Sequence, residues 1–108
     1  MNKETNKLYE MKAEMLQAIA HPIRLAVVDF LADGEQCVCD IAAHVGARRS
    51  NMSRHLAVML KAGVLGCRKD GLRVLYSLRA PCIAGCLTCV TDALREQLRS
   101  QGALLQKM

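Results

Sequence analysis

Two features of this chain have the residue types and the spacing to do chemistry. The first is thiol. Cys37 and Cys39 are separated by one residue, Cys82, Cys86 and Cys89 follow at intervals of four and three, and Cys67 stands alone between the clusters. Thiolates select soft ions such as trivalent arsenic or antimony, cadmium, lead and zinc. The plainer use of such cysteines is as small buried hydrophobes. The second feature is charge. The formal net charge is +5, but residues 41–79 carry eight basic side chains and one acidic, while residues 1–40 carry four basic and seven acidic. A positive balance confined to the middle third is the footprint of a polyanion-binding patch, against the bland alternative of a solvated basic surface.

The elements that position these groups must come from a short chain. At 108 residues one domain is expected, spanning 1–108, and a lone monomer of that size would be marginally stable. Hydrophobic residues make up 52% of the chain and charged residues 23%, which excludes a disordered polypeptide. The three aromatics, Tyr9, Phe30 and Tyr76, are too few for a platform that stacks unpaired bases. No apolar run approaches the ~20 residues of a membrane span and no signal peptide opens the chain, so the expected address is the cytoplasm. In that compartment six cysteines read as free thiols with metal or redox chemistry rather than disulfides.

Leu8, Met11, Met15 and Ile19 recur at helical spacing and predict a first helix to about Ala20. Pro22 suits the first position of a second helix, which runs through Ile23, Val27, Phe30 and Leu31 and stops at Asp33-Gly34. A short third helix covers about Cys39 to Val45. A fourth, from Ser50 to Ala62, buries Met52, Leu56, Met59 and Leu60, with Gly63 as its cap. Only Gly46-Ala47-Arg48-Arg49 separates them, the spacing of a helix-turn-helix. Strands are expected at Val64–Arg68 and Leu72–Leu78 around a Lys69-Asp70-Gly71 turn. In the second strand Leu72, Val74, Tyr76 and Leu78 share one face, and Arg73, Ser77 and Arg79 the other. Pro81 opens a last helix carrying Ile83, Leu87, Val90, Leu94 and Leu98. The fold class is mainly α with a small β-hairpin wing: a winged helix-turn-helix.

At this point the sequence resembles the ArsR/SmtB family of metal-sensing repressors, arsenic-sensing type. The matching residues are His21-Pro22-Ile23-Arg24-Leu25, Cys37-Val38-Cys39-Asp40-Ile41-Ala42, Ser50-Asn51-Met52-Ser53-Arg54-His55-Leu56, and Asp70-Gly71 through Leu75-Tyr76-Ser77-Leu78, in order over about residues 14–90. The resemblance implies a homodimer joined by the first and last helices, with repression relieved when an inducer binds.

The helix from Ser50 would then be the recognition helix, its N-terminal residues meeting base edges in the major groove. Ser50, Asn51, Ser53, Arg54 and His55 lie there, with Arg48 and Arg49 in the turn before it. Asn and Arg can contact adenine and guanine bidentately, whereas Ser mostly fixes register. His55 serves equally well as a packing or capping residue. Arg68, Lys69 and Arg73 on the hairpin suit flanking phosphates or the minor groove. One recognition helix per chain implies double-stranded DNA with an inverted-repeat operator.

The thiols would form the inducer site. In a regular helix residues i and i+2 point about 200° apart. Cys37 and Cys39 therefore face one ion only if the start of the third helix is extended or unwound, and that supplies a switch. Against the family pattern, Ala42 stands where arsenic sensors have a third cysteine, and residues 1–36 lack the cysteines that complete cadmium and lead sites. The missing donor would come from His21, His44 or the last helix, where Cys82, Cys86 and Cys89 form one stripe; Cys82 to Cys89 spans about 10 Å of rise. The family's interfacial zinc site corresponds to Ala80, Cys82, Ala93 and Glu96, which disfavours a zinc or nickel sensor. With no permanent cofactor, the expected inducer is As(III) or Sb(III), with Cd(II) or Pb(II) as alternative. A thiol redox or persulfide-responsive repressor is a further reading, weakened because Asp29 stands near the place where related persulfide sensors have their second-helix cysteine. No enzyme is expected. A small thiol oxidoreductase or a structural zinc module would leave the basic helix-turn-helix without a purpose.

Overall fold

The computed structural model describes the backbone of residues 2–107 and the side chains of residues 2–102; Met1 and Met108, the ends of the expected 1–108 unit, lie outside them. Its elements are α1 (Lys3–Gln17), α2 (Pro22–Leu31), β1 (Gln36–Cys37), α3 (Val38–Val45), α4 (Arg49–Lys61), β2 (Leu65–Asp70), β3 (Arg73–Leu78) and α5 (Cys82–Lys107). Asn2 starts α1 by accepting the Thr5 N–H at 2.8 Å. His21 caps α2, its Nδ1 accepting the Ile23 N–H at 3.1 Å, and Pro22 follows where no N–H is needed.

The core lies where α2, α3 and α4 meet the sheet. Val27, Val28, Ile41, Met52, Leu56, Met59 and Val64 are fully buried there. These residues sit at helical intervals on α2 and α4; α4 gives the core one stripe and leaves its opposite face to solvent, whereas of α2 only Pro22 and Asp29 are exposed. Gly46 ends α3 at φ +79°, a left-handed conformation that costs glycine little, and lets the chain re-enter α4 after Ala47 and Arg48.

The hairpin is correct but incomplete: β1 pairs antiparallel with β3, giving a three-stranded sheet in the order β1-β3-β2. Gln36 lies opposite Tyr76 and Cys37 opposite Leu75, while Asp70 lies opposite Arg73 across a two-residue turn of Gly71 and Leu72. Tyr76 and Leu78 of β3 pack against the core, on the face that the apolar alternation marks. Leu75, on the face of Arg73 and Ser77, is buried as well, whereas Leu72 at the turn is fully exposed.

Helices α1 and α5 project from this body. The radius of gyration is 17.1 Å, against about 13 Å for a compact chain of this length. No α1 residue from Lys3 to Gln17 is buried, and Leu8, Tyr9, Met11 and Leu16 are each more than half exposed. Among the described residues no helix is long and apolar enough to cross a membrane.

Candidate nucleic-acid interface and thiol sites

Four of the eight basic residues of the middle third line two concavities. Arg48, Ser50, Asn51 and Arg54 line one of about 520 Å³ together with Ile23, Gly46 and Ala47. Arg48, Asn51 and Arg54 are exposed, while Met52 and Leu56 of the same helix are buried. The helix thus presents polar bidentate donors outward from a fixed core face, the arrangement needed to read base edges. Ser53 is exposed too, its hydroxyl donating to the Arg49 carbonyl at 3.0 Å.

His55 points elsewhere. It is half-buried against α2, where Arg24 Nε donates to its Nδ1 at 3.1 Å, and its ring lies 4.6 Å from that of His21. Burial, then the charges of His21 and Arg24, hold its pKa below 6.5. A ring nitrogen that accepts an arginine N–H must be unprotonated, so geometry and electrostatics agree on a neutral imidazole. The linkage has a definite sign: the unfolded chain takes up this proton first as pH falls. Stability attached to His55 is therefore present above pH 6.5 and is lost as pH falls through the lower folded value. The melting temperature should hold steady above about pH 7 and decline as pH falls below 6.5. His55→Asn, which keeps an acceptor without a titrating ring, should flatten that decline; an unchanged decline would refute the assignment. Glu35 acts only lower, since the Arg68 hydrogen bonds hold its carboxyl below 4.5.

On the wing, Lys69 is exposed and makes no ion pair among the described residues, but Arg68 is engaged. Its guanidinium grips the Glu35 carboxylate at 2.7 and 2.9 Å, tying β2 to the loop before β1. Arg73 lies 3.9 Å from the Asp40 carboxylate. All these groups are solvent-accessible, so the pairs orient the arginines more than they stabilise the fold.

Cys37 is the N-cap of α3 in extended conformation (φ −83°, ψ 161°), and Cys39 is the second residue of the helix. The irregular helix start that a shared ion requires is therefore present. Both cysteines line one concavity of about 330 Å³ with Val38, Arg49, Leu72, Arg73 and Val74. Cys82, Cys86 and Cys89 are exposed along α5, and Cys67 is exposed on β2 rather than packed. Among the described residues no three of His, Cys, Asp and Glu come together as a metal-ligand set. Within one chain the pair gains no third donor from α5. His21 is occupied as a helix cap, and the His44 ring stacks on Phe30 at 4.0 Å. Sequence reasoning missed the role of Leu72 and Val74 in the thiol concavity, because only the β3 register carries them there.

Residues 21–65 match the family model for bacterial regulatory proteins of the arsR family. The uncharacterised HTH-type transcriptional regulator Rv0081 of Mycobacterium tuberculosis is 34% identical over 106 residues, covering 97% of this chain and 93% of the relative. Its crystal structure superposes with a TM-score of 0.76 at 35% identity, covering 87% of this chain and 95% of that one. A homodimeric winged helix-turn-helix DNA-binding domain, Mb0332 of Mycobacterium bovis, gives a TM-score of 0.81 at 26% identity over 93% of each chain. The arsenical resistance operon repressor of Staphylococcus xylosus is 29% identical over 70 residues, 65% of this chain and 67% of that relative. The helix-turn-helix, the wing and these likenesses agree: the chain belongs to the ArsR family of bacterial transcriptional regulators.

Proposed function

We propose that the protein is a homodimeric repressor that binds an inverted-repeat operator and releases it when a soft metal or metalloid, foremost trivalent arsenic, is captured by cysteine thiolates. The observation that carries this reading is the shared concavity of Cys37 and Cys39, set between the first residue of α4 and the wing. An ion held there deforms the start of α3, the helix packed against α4 through Ile41 and Ala42. Base contacts fall to Asn51 and Arg54, with Arg48, Ser50 and Ser53 fixing register and Lys69 reaching phosphate. Dimerisation is supported by the unpartnered apolar residues of α1 and α5 and by the homodimeric Mycobacterium bovis relative. The Staphylococcus relative supports arsenic as inducer. Cadmium or lead is the second reading, since two thiolates serve those ions as well.

The test is a titration of reduced, metal-free dimer with arsenite, cadmium and zinc under anaerobic conditions, followed by thiolate charge-transfer absorbance. A duplex selected from a random library by the reduced protein serves as operator. Arsenite should bind tightly and weaken operator binding about 5–150-fold, the usual range for coupled sites. Cys37→Ser should abolish both effects, whereas Cys89→Ser should abolish them only if α5 of a partner completes the site. If no ion binds, the metal reading is refuted, and the exposed α5 thiols leave a redox or persulfide response as the better account.

A further inference from the structure

The thiol concavity lies at the junction of the two elements that meet DNA. Adjacent arginines part company there: Arg48 lines the concavity of Asn51 and Arg54, whereas Arg49 lines that of Cys37 and Cys39. Arg73 joins Arg49 from the wing, lining the same concavity as the two thiols and lying 3.9 Å from the Asp40 carboxylate. Its side chain is 61% exposed, so the same guanidinium is open to a phosphate outside the concavity. Two thiols thus share about 330 Å³ with two guanidiniums, and among the described residues no third protein ligand is at hand.

We propose that Arg49 and Arg73 are shared between the operator and the thiol site, so that an ion captured by Cys37 and Cys39 withdraws both guanidiniums from DNA. This rests on the reading above and adds the positioning residues that connect its two halves. The chemistry needs no oxidant. Arsenous acid and two thiols form two S–As bonds, two As–OH bonds break, two waters leave, and arsenic stays trivalent. One hydroxyl remains where a third protein thiolate is missing. The remaining hydroxyl offers the guanidiniums an oxygen acceptor inside the concavity. A planar guanidinium that donates there cannot fork onto a phosphate at the same time.

The measurement is operator affinity for full-length wild type, Arg73→Gln, Arg49→Gln and Arg73→Lys, with and without saturating arsenite, at several salt concentrations. Arsenite occupancy is read separately by charge-transfer absorbance, and folding by circular dichroism. Without arsenite, each Gln variant should bind roughly 10-fold more weakly, and its salt slope should fall by about 2 per dimer. With arsenite bound, the same substitutions should change affinity less than about 2-fold, because the arginines have already left. Arg73→Lys should keep part of the salt slope and lose most of the difference between the two states. Equal losses with and without arsenite would overturn the proposal, leaving the arginines as DNA contacts that the thiols do not govern. Arsenite that binds wild type without changing its operator affinity would overturn it as well. Absence of arsenite binding in wild type would instead sink the inducer reading itself, and this inference with it.

Discussion

A chain carrying Leu94→Glu and Leu98→Glu is expected to run as a folded monomer and to bind the operator at least ~100-fold more weakly than wild type. Among the described residues, seven of the nine large hydrophobic side chains left exposed lie on α1 and α5: Leu8, Tyr9, Met11, Leu16, Val90, Leu94 and Leu98. A groove of about 460 Å³ between α2 and α5 continues that surface through Leu25, Leu87 and Val90. Leu94 and Leu98 are 53% and 66% exposed in the single chain, so glutamate at either place costs the isolated fold little. In a dimer closed over α5 the same carboxylates would be buried without partners, at a cost of several kcal/mol each. Losing the dimer then costs the second half-site, which is bound at high effective concentration only while the recognition helices are linked. Light scattering after gel filtration gives the mass, and circular dichroism reports the fold. A variant that stays dimeric with undiminished operator affinity would place the interface elsewhere.

Much of this architecture was legible because it rests on local pattern. The apolar spacing of Met52, Leu56 and Met59 marks α4, and Gly46 and Gly63 mark the ends of α3 and α4. His21-Pro22 announces the start of α2, with the histidine as cap. What escaped depends on residues far apart in sequence. Strand β1 is two residues long, too short to show any alternation, and exists because β3 lies alongside it. Leu72 was expected in the second strand but belongs to the turn, where apolar character does not imply burial.

The candidate site divides in the same way. Periodicity predicted the outward row of α4, but a half-buried His55 bonded to Arg24 follows from the α2–α4 packing. The Arg68–Glu35 pair spans 33 positions, and no spacing rule connects a wing arginine to the loop before β1. For the thiols, helix geometry stated the condition, an extended start to α3, and Cys37 meets it as N-cap. Composition could not tell that Arg49 lines the concavity of those thiols while Arg48 lines that of Asn51 and Arg54, since both are exposed arginines at one helix start.

The two faces of α4 give the second large effect, because one helix must both belong to the core and read DNA. Leu56→Ala should lower stability by about 2–5 kcal/mol, which for a domain of this size is a fall in melting temperature of more than ~10 °C. Leu56 is fully buried in the core cluster that also holds Ile41, Val27 and Met59, so truncation leaves a cavity in a close-packed interior. Arg54→Ala, two residues away, should leave the melting temperature within about a degree, since Arg54 is exposed, makes no ion pair among the described residues, and so contributes little to the fold. Its effect should appear on DNA: losing one bidentate base contact costs about 1–3 kcal/mol per half-site, roughly 10–100-fold, with selectivity relaxed at one base pair. Comparing the two variants at a temperature where both are folded separates the roles. Leu56→Ala should then bind nearly as wild type, because the outward row is intact. If Arg54→Ala instead melted early and bound the operator normally, this face of α4 would be structural, and base recognition would have to lie on another element.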